Sequence, residues 1–213
     1  YVDAEAGQVA RDRTFRVRSL NPAVLLIDTL AVVPRLEIYS NSLTLQALSV
    51  GTAAVEFGNA QFGFDTSFVT VEASRIQVSF PSTSGTVGSE RMMFYSVRSS
   101  SGVSGRPLND LPITFTSRDP LVAQPNVGVS VLTASEYEAG ITVSLLGAGS
   151  TYIVASAAGF APDSFLVSVG AAAVVNNQQS IRRVGSNLVQ PWTLDLVDRA
   201  GSITSPMRLT AQA

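Results

Sequence analysis

The chain has 213 residues, no Cys and no His, and all fourteen of its basic residues are Arg against sixteen Asp or Glu, for a net charge of −2. Without Cys, His or Lys there are no disulfides, thiolate nucleophiles, Cys/His zinc sites, Ser-His-Asp triads, Schiff-base lysines or P-loops, and the charge balance lacks the basic footprint nucleic acid requires. Hydrophobic residues make up 46% and charged ones only 14%, with a mean hydropathy of +0.27. The best apolar run, Ala23 to Val33, is broken by Asp28 and Thr29, so no stretch reaches the roughly 18 apolar residues of a membrane span.

Taken in chain order, period-two alternation predicts strands at Phe68-Val69-Thr70-Val71, Ile76 to Phe80, Ile113-Thr114-Phe115, Tyr152 to Ala155, Phe165 to Val169 and Thr193 to Leu196. Val, Ile, Thr and Phe favour a pleated, half-buried surface. Turn signals separate these runs at Pro81-Ser82, Ser101-Gly102, Arg106-Pro107, Asp119-Pro120, Ala139-Gly140, Gly147-Ala148-Gly149 and Pro162-Asp163. No amphipathic helix of useful length is present. The fold class is all-β, and short antiparallel strands in a unit of this size predict β-sandwiches, whose polar outer faces need few charges.

The chain also repeats itself. Val50-Gly51-Thr52 through Phe64, Ser67-Phe68 and Val71 lines up with Ala148-Gly149-Ser150 through Phe160, Ser164-Phe165 and Val169, and Asn21-Pro22-Ala23-Val24 falls on Asp119-Pro120-Leu121-Val122. Thr86-Val87-Gly88-Ser89 matches Arg183-Val184-Gly185-Ser186 in the same way. The period is about 97 residues. It divides the chain into a partial repeat at 1–74 (later strands), a complete one at 75–171 and a partial one at 172–213 (first strands). Two expectations follow: a window on a longer array, or partial domains completed by each other or by a neighbouring chain through strand addition.

Phe115-Thr116-Ser117-Arg118-Asp119-Pro120-Leu121-Val122-Ala123, followed by Gly149 to Phe160 and Asp163-Ser164-Phe165, resembles the bacterial immunoglobulin-like (Big-type) repeat. The middle repeat matches along most of its length. The first matches in its second half, with Val55-Glu56-Phe57-Gly58 in place of an Ala-Ser-Ala core, and the third only in its opening strands. The resemblance implies tandem immunoglobulin-like β-sandwich repeats. Such domains serve as adhesin stalks, surface-layer pieces, accessory domains of secreted hydrolases and subunits of envelope assemblies, generally with no active site of their own.

No residue is expected to be catalytic, cofactor-binding or metal-binding. Carboxylates are the remaining acid/base groups, and a glycosidase needs two of them facing each other across a cleft. Glu136 and Glu138 instead flank Tyr137 in what reads as a turn before Gly140. Asp195 with Asp198, and Asp3 with Glu5, resemble acidic junction turns that take calcium elsewhere, but Arg98 and Ser100 hold the corresponding place in the middle repeat. Arg11, Arg13, Arg16 and Arg18 form the densest basic patch. Alternation puts Arg11 and Arg13 on the face of Phe15 and Val17, and Arg16 and Arg18 opposite. An anionic glycan, a lipid headgroup or an acidic protein surface suits such a patch, and so does simple protection of a strand edge. Arg182-Arg183 is a smaller case. Trp192 is expected as a core ring between two sheets, with an aromatic platform for sugar as the other reading. The ten Phe are expected in the core, though Phe57, Phe62 and Phe64 crowd one hairpin and offer a contact residue, and Gly159 to Asp163 reads as a turn.

Leu25-Leu26-Ile27, Ala171 to Val175 and the Phe57–Phe64 hairpin offer more apolar surface than a sandwich requires, the mark of a partner interface. The expectation is a non-catalytic, extracytoplasmic structural or docking protein on the cell surface, secreted or periplasmic. It is a segment of a surface array or filament, or an accessory subunit packed on a larger envelope or membrane complex. Its partners are proteins, with no nucleic acid, no cofactor and no membrane span of its own. A carbohydrate-binding adhesin, or the accessory module of a secreted hydrolase, is the alternative, which leaves a glycan partner open.

Overall fold

A computed structural model describes residues 11–37, 39–80, 84–175 and 195–198. These residues form strands, turns and loops, with no helix among them. The chain separates into two compact units, Tyr1–Ala73 and Ser74–Ala213.

The first unit contains β1 (Arg13–Ser19), β2 (Leu25–Ile27), β3 (Leu30–Val33), β4 (Leu45–Ala47), β5 (Gly51–Asn59) and β6 (Gly63–Val71). Four of them form an antiparallel sheet in the order β3-β1-β5-β6, and β2 pairs with β4. Alternation sends Val17, Ala53 and Val55 inward, where they meet Val24, Leu25 and Ala31. β6 departs from the pattern. Gly63 to Phe68 are all exposed, on both faces of the strand, and among the described residues β5 is its only partner.

The second unit contains β7 (Ser74–Ser79), β8 (Ser84–Thr86), β9 (Glu90–Ser99), β10 (Ser104–Gly105), β11 (Leu111–Ser117), β12 (Ala123–Pro125), β13 (Val129–Leu132), β14 (Glu138–Leu145), β15 (Gly149–Ala157), β16 (Phe160–Gly170), β17 (Ala172–Val175) and β18 (Asp195–Asp198). One sheet runs β12-β14-β9-β7, with β10 on β9. The other runs β16-β15-β11-β13, with β8 parallel on β16. The two sheets join at one edge, where Ala161 of β16 pairs in parallel with Arg75 of β7. Ile76, Met93, Tyr95, Ile141 and Val143 from the first sheet share one core with Ile113, Phe115, Leu132, Ile153 and Val167 from the second. This is a β-sandwich. The Tyr95 ring packs 5.1 Å from that of Phe115, and its hydroxyl donates to Ser130 Oγ at 2.7 Å, so this polar atom of a buried side chain is satisfied. β17 and β18 pair antiparallel, from Ala172 opposite Asp198 to Val175 opposite Asp195.

The same local bonds occur in both units. Val24 and Leu25 donate their amides to Asn21 O, as Val122 and Ala123 do to Asp119 O. Ser19 Oγ accepts the Asn21 amide at 3.2 Å and Ser117 Oγ accepts that of Asp119 at 3.2 Å. Gly51 and Gly149 have φ of +153° and +147°, and a Cβ on either would sit 3.2 Å from a methyl of Val24 or Val122 respectively. β5 pairs with β6 from Gly51 opposite Val71, and β15 with β16 from Gly149 opposite Val169.

Three sequence expectations need correction. Ala139-Gly140 lies inside β14, where Gly140 pairs with Phe94; a Cβ there would meet that ring at 3.4 Å, so the glycine serves close packing rather than a turn. The turn before β16 is confined to Ala158-Gly159, and Phe160 to Asp163 is already strand. Pro162 is tolerated because the ladder slips a register between Ala155 and Ala157, leaving Ala161 and Pro162 opposite Ser156 alone. Finally, Phe115 is the one fully buried Phe among the described residues. Tyr95 and branched aliphatics fill the sandwich instead, while Phe64 and Phe68 point off a strand that nothing described covers.

Candidate functional site

The densest cluster of unusual side chains lies on the β5–β6 hairpin and the start of β1. Asn59 Oδ1 accepts the amides of Gln61 and Phe62 at 3.0 and 2.9 Å, and its Nδ2 donates to Thr14 O at 3.0 Å, which shapes the turn. Phe62 is thereby held 6.0 Å from Phe15, and the Arg13 guanidinium lies 5.4 Å from the Phe62 ring centre. Arg13 is only 7% exposed. Its Nη1 donates to Gln61 Oε1 at 3.0 Å, while its buried Nε has no partner. A desolvated guanidinium with one open donor is costly, so the site favours a carbonyl or carboxylate acceptor.

The four arginines do not converge. Arg13 shares the inner face with Val17 as alternation requires, but Arg11 precedes the strand and is exposed. Arg16 is exposed on the opposite face, and Arg18 Nε pairs with Glu56 Oε1 at 2.9 Å. Edge protection also fails as an account of this patch, because β1 lies between β3 and β5.

Along β6, pairing with β5 puts Asp65 and Ser67 on the inner face opposite Phe57 and Val55, and Phe64 and Phe68 on the outer face. Asp65 Oδ1 accepts the Thr66 amide at 2.8 Å, and its Oδ2 has no partner among the described residues. In the second unit Asp163 makes the same local bond, Oδ1 to the Ser164 amide at 2.8 Å. Its Oδ2 accepts the Val78 amide at 2.9 Å, which fastens β16 to β7 across the join between sheets. Neither aspartate stands out in the sequence. The signal was their common place in the repeat, obscured because matching Phe64 with Phe160 slides the two hairpins out of register. The observed pairing sets Asp65 against Asp163.

A second surface lies on the outer face of the sandwich. Tyr152 pairs with Leu166, and Val129 and Val131 pair with Thr114 and Pro112 on the neighbouring strand. All four apolar side chains are at least 40% exposed. The Arg118 guanidinium stacks 5.1 Å above Tyr152. Val129 is in line with Thr114 and Ser156, so Tyr152 with Leu166 and Val129 with Val131 are two separate apolar pairs on this face.

The remaining candidates are local or undescribed. Glu136 Oε2 accepts from Thr133 Oγ1 at 3.0 Å and from the Thr133 amide at 3.3 Å, closing its own turn. Glu138 opens β14, and Tyr137 between them carries the Arg106 guanidinium at 5.2 Å. Asp195 and Asp198 occupy the two ends of β18. Among the described residues no three Asp or Glu converge on a point that could hold a metal ion. Asp3, Glu5, Arg182, Arg183 and Trp192 lie outside the described residues.

No protein-family model matches the chain, and no curated protein matches it. Among solved structures it is similar to domains 4 and 5 of the S-layer protein SbsC, at 21% identity over 73% of this chain and 75% of that one, with a TM-score of 0.35. It is similar to the Yersinia pseudotuberculosis adhesin InvE at 12% identity, over 76% of this chain and 50% of that one, with a TM-score of 0.39. A β-glycosidase from Bacteroides vulgatus aligns at 8% identity over 76% of this chain and 23% of that one, with a TM-score of 0.40. The chain thus spans half or less of the last two. Overlaps this loose establish neither a shared fold nor a shared role. Among the described residues no helix is long and apolar enough to cross a membrane.

Proposed function

We propose that this chain is a non-catalytic, extracytoplasmic structural and docking segment made of tandem immunoglobulin-like, Big-type β-sandwich repeats, divided as 1–74, 75–171 and 172–213 with a period near 97. The observation that carries the docking role is the exposure of two apolar pairs, Tyr152 with Leu166 and Val129 with Val131, on the outer face of a sandwich whose core is already filled. A partner that covers these side chains removes their apolar area from water, which favours association. The matching turn bonds at Asn21 and Asp119 support the tandem repeat. The absence of His, Cys and Lys supports a role without chemistry. The segment belongs to a surface array or filament, or to an accessory subunit packed on a larger envelope complex.

A carbohydrate-binding module is the second reading, favoured by the exposed Phe62 ring held under the half-satisfied Arg13, on a hairpin that also exposes Phe57 and Phe64. Sedimentation velocity across a concentration series, paired with a glycan array, separates the two. Self-association weakened by Val131→Ser with Leu166→Ser is the expected result. Glycan binding lost in Phe62→Ala supports the second reading instead. A chain that stays monomeric and binds no glycan overturns both.

A further inference from the structure

Resting on the reading of this chain as a structural segment, we infer that the edge of β6 left bare by the described residues is a strand-addition site whose occupant is the β17–β18 pair of a second copy. The second unit shows what such an edge takes. There β16 has β15 on one side and, on the other, β8 in parallel together with the parallel contact to β7. The Asp163 carboxylate fastens that side by accepting the Val78 amide. On β6 the corresponding aspartate, Asp65, is held in the same local conformation by the Thr66 amide, with its second oxygen open. Pairing within the hairpin explains the open edge. Ala54 O accepts the Leu20 amide from the β1 side, so Thr52, across from Thr70, also faces β1. Thr70 then directs its own amide and carbonyl away from β5, outward along the bare edge.

This chain carries a second element of the β7 kind. β17 pairs antiparallel with β18 as β7 does with β9, and Val175 opposite Asp195 holds the place of Val78 opposite Tyr95. In the described structure these two strands form a two-stranded sheet of their own, an arrangement of marginal stability in water. Among the described residues no strand of the β7 type pairs with the outer edge of β6, and β17 and β18 pair only with each other, with β18 lying near β8. Docking β17 of one copy in parallel on β6 of another gives Asp65 Oδ2 the Val175 amide and covers the inner side of β6, where Ser67 is exposed. The contact joins two different surfaces, so it repeats from copy to copy and builds a polar chain rather than a closed pair.

Two blocked variants of the full 213-residue chain test this. Thr70→Pro removes an outward donor from β6 and leaves its ladder to β5 intact, while Val175→Pro removes the donor that Asp65 accepts, at the end of β17. By sedimentation velocity the unmodified chain forms species that lengthen with concentration. Each variant alone stays at 22.4 kDa, and the two mixed give one species of twice that mass and nothing larger. Asp65→Asn, which perturbs the fold least, weakens association about tenfold, the worth of one charge-assisted hydrogen bond. Circular dichroism of each variant confirms that it is folded. A monomeric unmodified chain, a Thr70→Pro chain that still polymerises, or a mixture that fails to pair overturns the inference. Polymerisation that ignores Thr70 but is lost with Val131→Ser and Leu166→Ser leaves the docking role standing on the other surface. Loss of association from neither set overturns both.

Discussion

β6 and β16 occupy the same place in two hairpins of nearly the same design, yet Val167 of β16 is 1% exposed while its counterpart Val69 is only partly covered. Next to them Phe165 stacks on Phe80 at 5.0 Å, where β6 has the exposed Ser67. Burial in these units is conferred by the strand that arrives from the opposite sheet. The alternation within a strand decides only which side is offered. The second unit has both sheets and a closed core. The first has one four-stranded sheet, a short β2–β4 pair and a face that ends at Asp65 and Ser67.

Seven substitutions, six of them in matched pairs, sharpen that contrast, each read by urea unfolding with hydrogen exchange followed separately in the two units. Ile153→Ala, in the closed core, is expected to cost about 2–5 kcal/mol. Val55→Ala, at the equivalent point of the open core, is expected to cost about 1–2 kcal/mol, in line with roughly 0.8 kcal/mol per methylene-sized group. Equal losses would erase the distinction between closed and open cores. Next, a Cβ on Gly58 would lie 2.1 Å from Gly63 O, with the Phe64 Cα at 2.7 Å. Gly58→Ala should therefore destabilise the β5–β6 hairpin by roughly 1–3 kcal/mol. Ser156→Ala, at the matching point of β15 where the bulge gives room, should stay within about 0.5 kcal/mol. Asp163→Asn should cost about 1–3 kcal/mol through the Val78 bond. In dilute solution Asp65→Asn should change the first unit's own stability by no more than about 0.5 kcal/mol. A large monomer effect would mean that Asp65 already has a partner. Smallest of all, Arg18→Ala should cost less than about 1 kcal/mol, because the pair with Glu56 is half in solvent.

Much of the fold was legible because alternation reports faces directly. The runs at Ile76, Ile113, Tyr152 and Phe165 are strands, and Arg13 faces inward although it is charged. Glycine and proline misled where they act within strands. Gly140 makes room for the Phe94 ring, and Pro162 sits at a bulge, yet both are turn formers by composition. The aromatics misled for a different reason. A Phe is buried only if a neighbour covers it, and for Phe64 and Phe68 that neighbour is set by pairing between distant strands, which composition does not encode. The Asp163–Val78 bond spans 85 positions. It becomes visible in the sequence only when the two hairpins are matched residue for residue.

The Arg18–Glu56 contact is an ion pair half in solvent. The two cores are held by apolar burial and by backbone ladders, and neither offers dissolved sodium chloride much to screen at a Debye length of about 3 Å or about 30 Å. Such a framework keeps its shape as the medium swings from fresh water to brine, a tolerance that a charge-stitched scaffold of the same size would have to forgo.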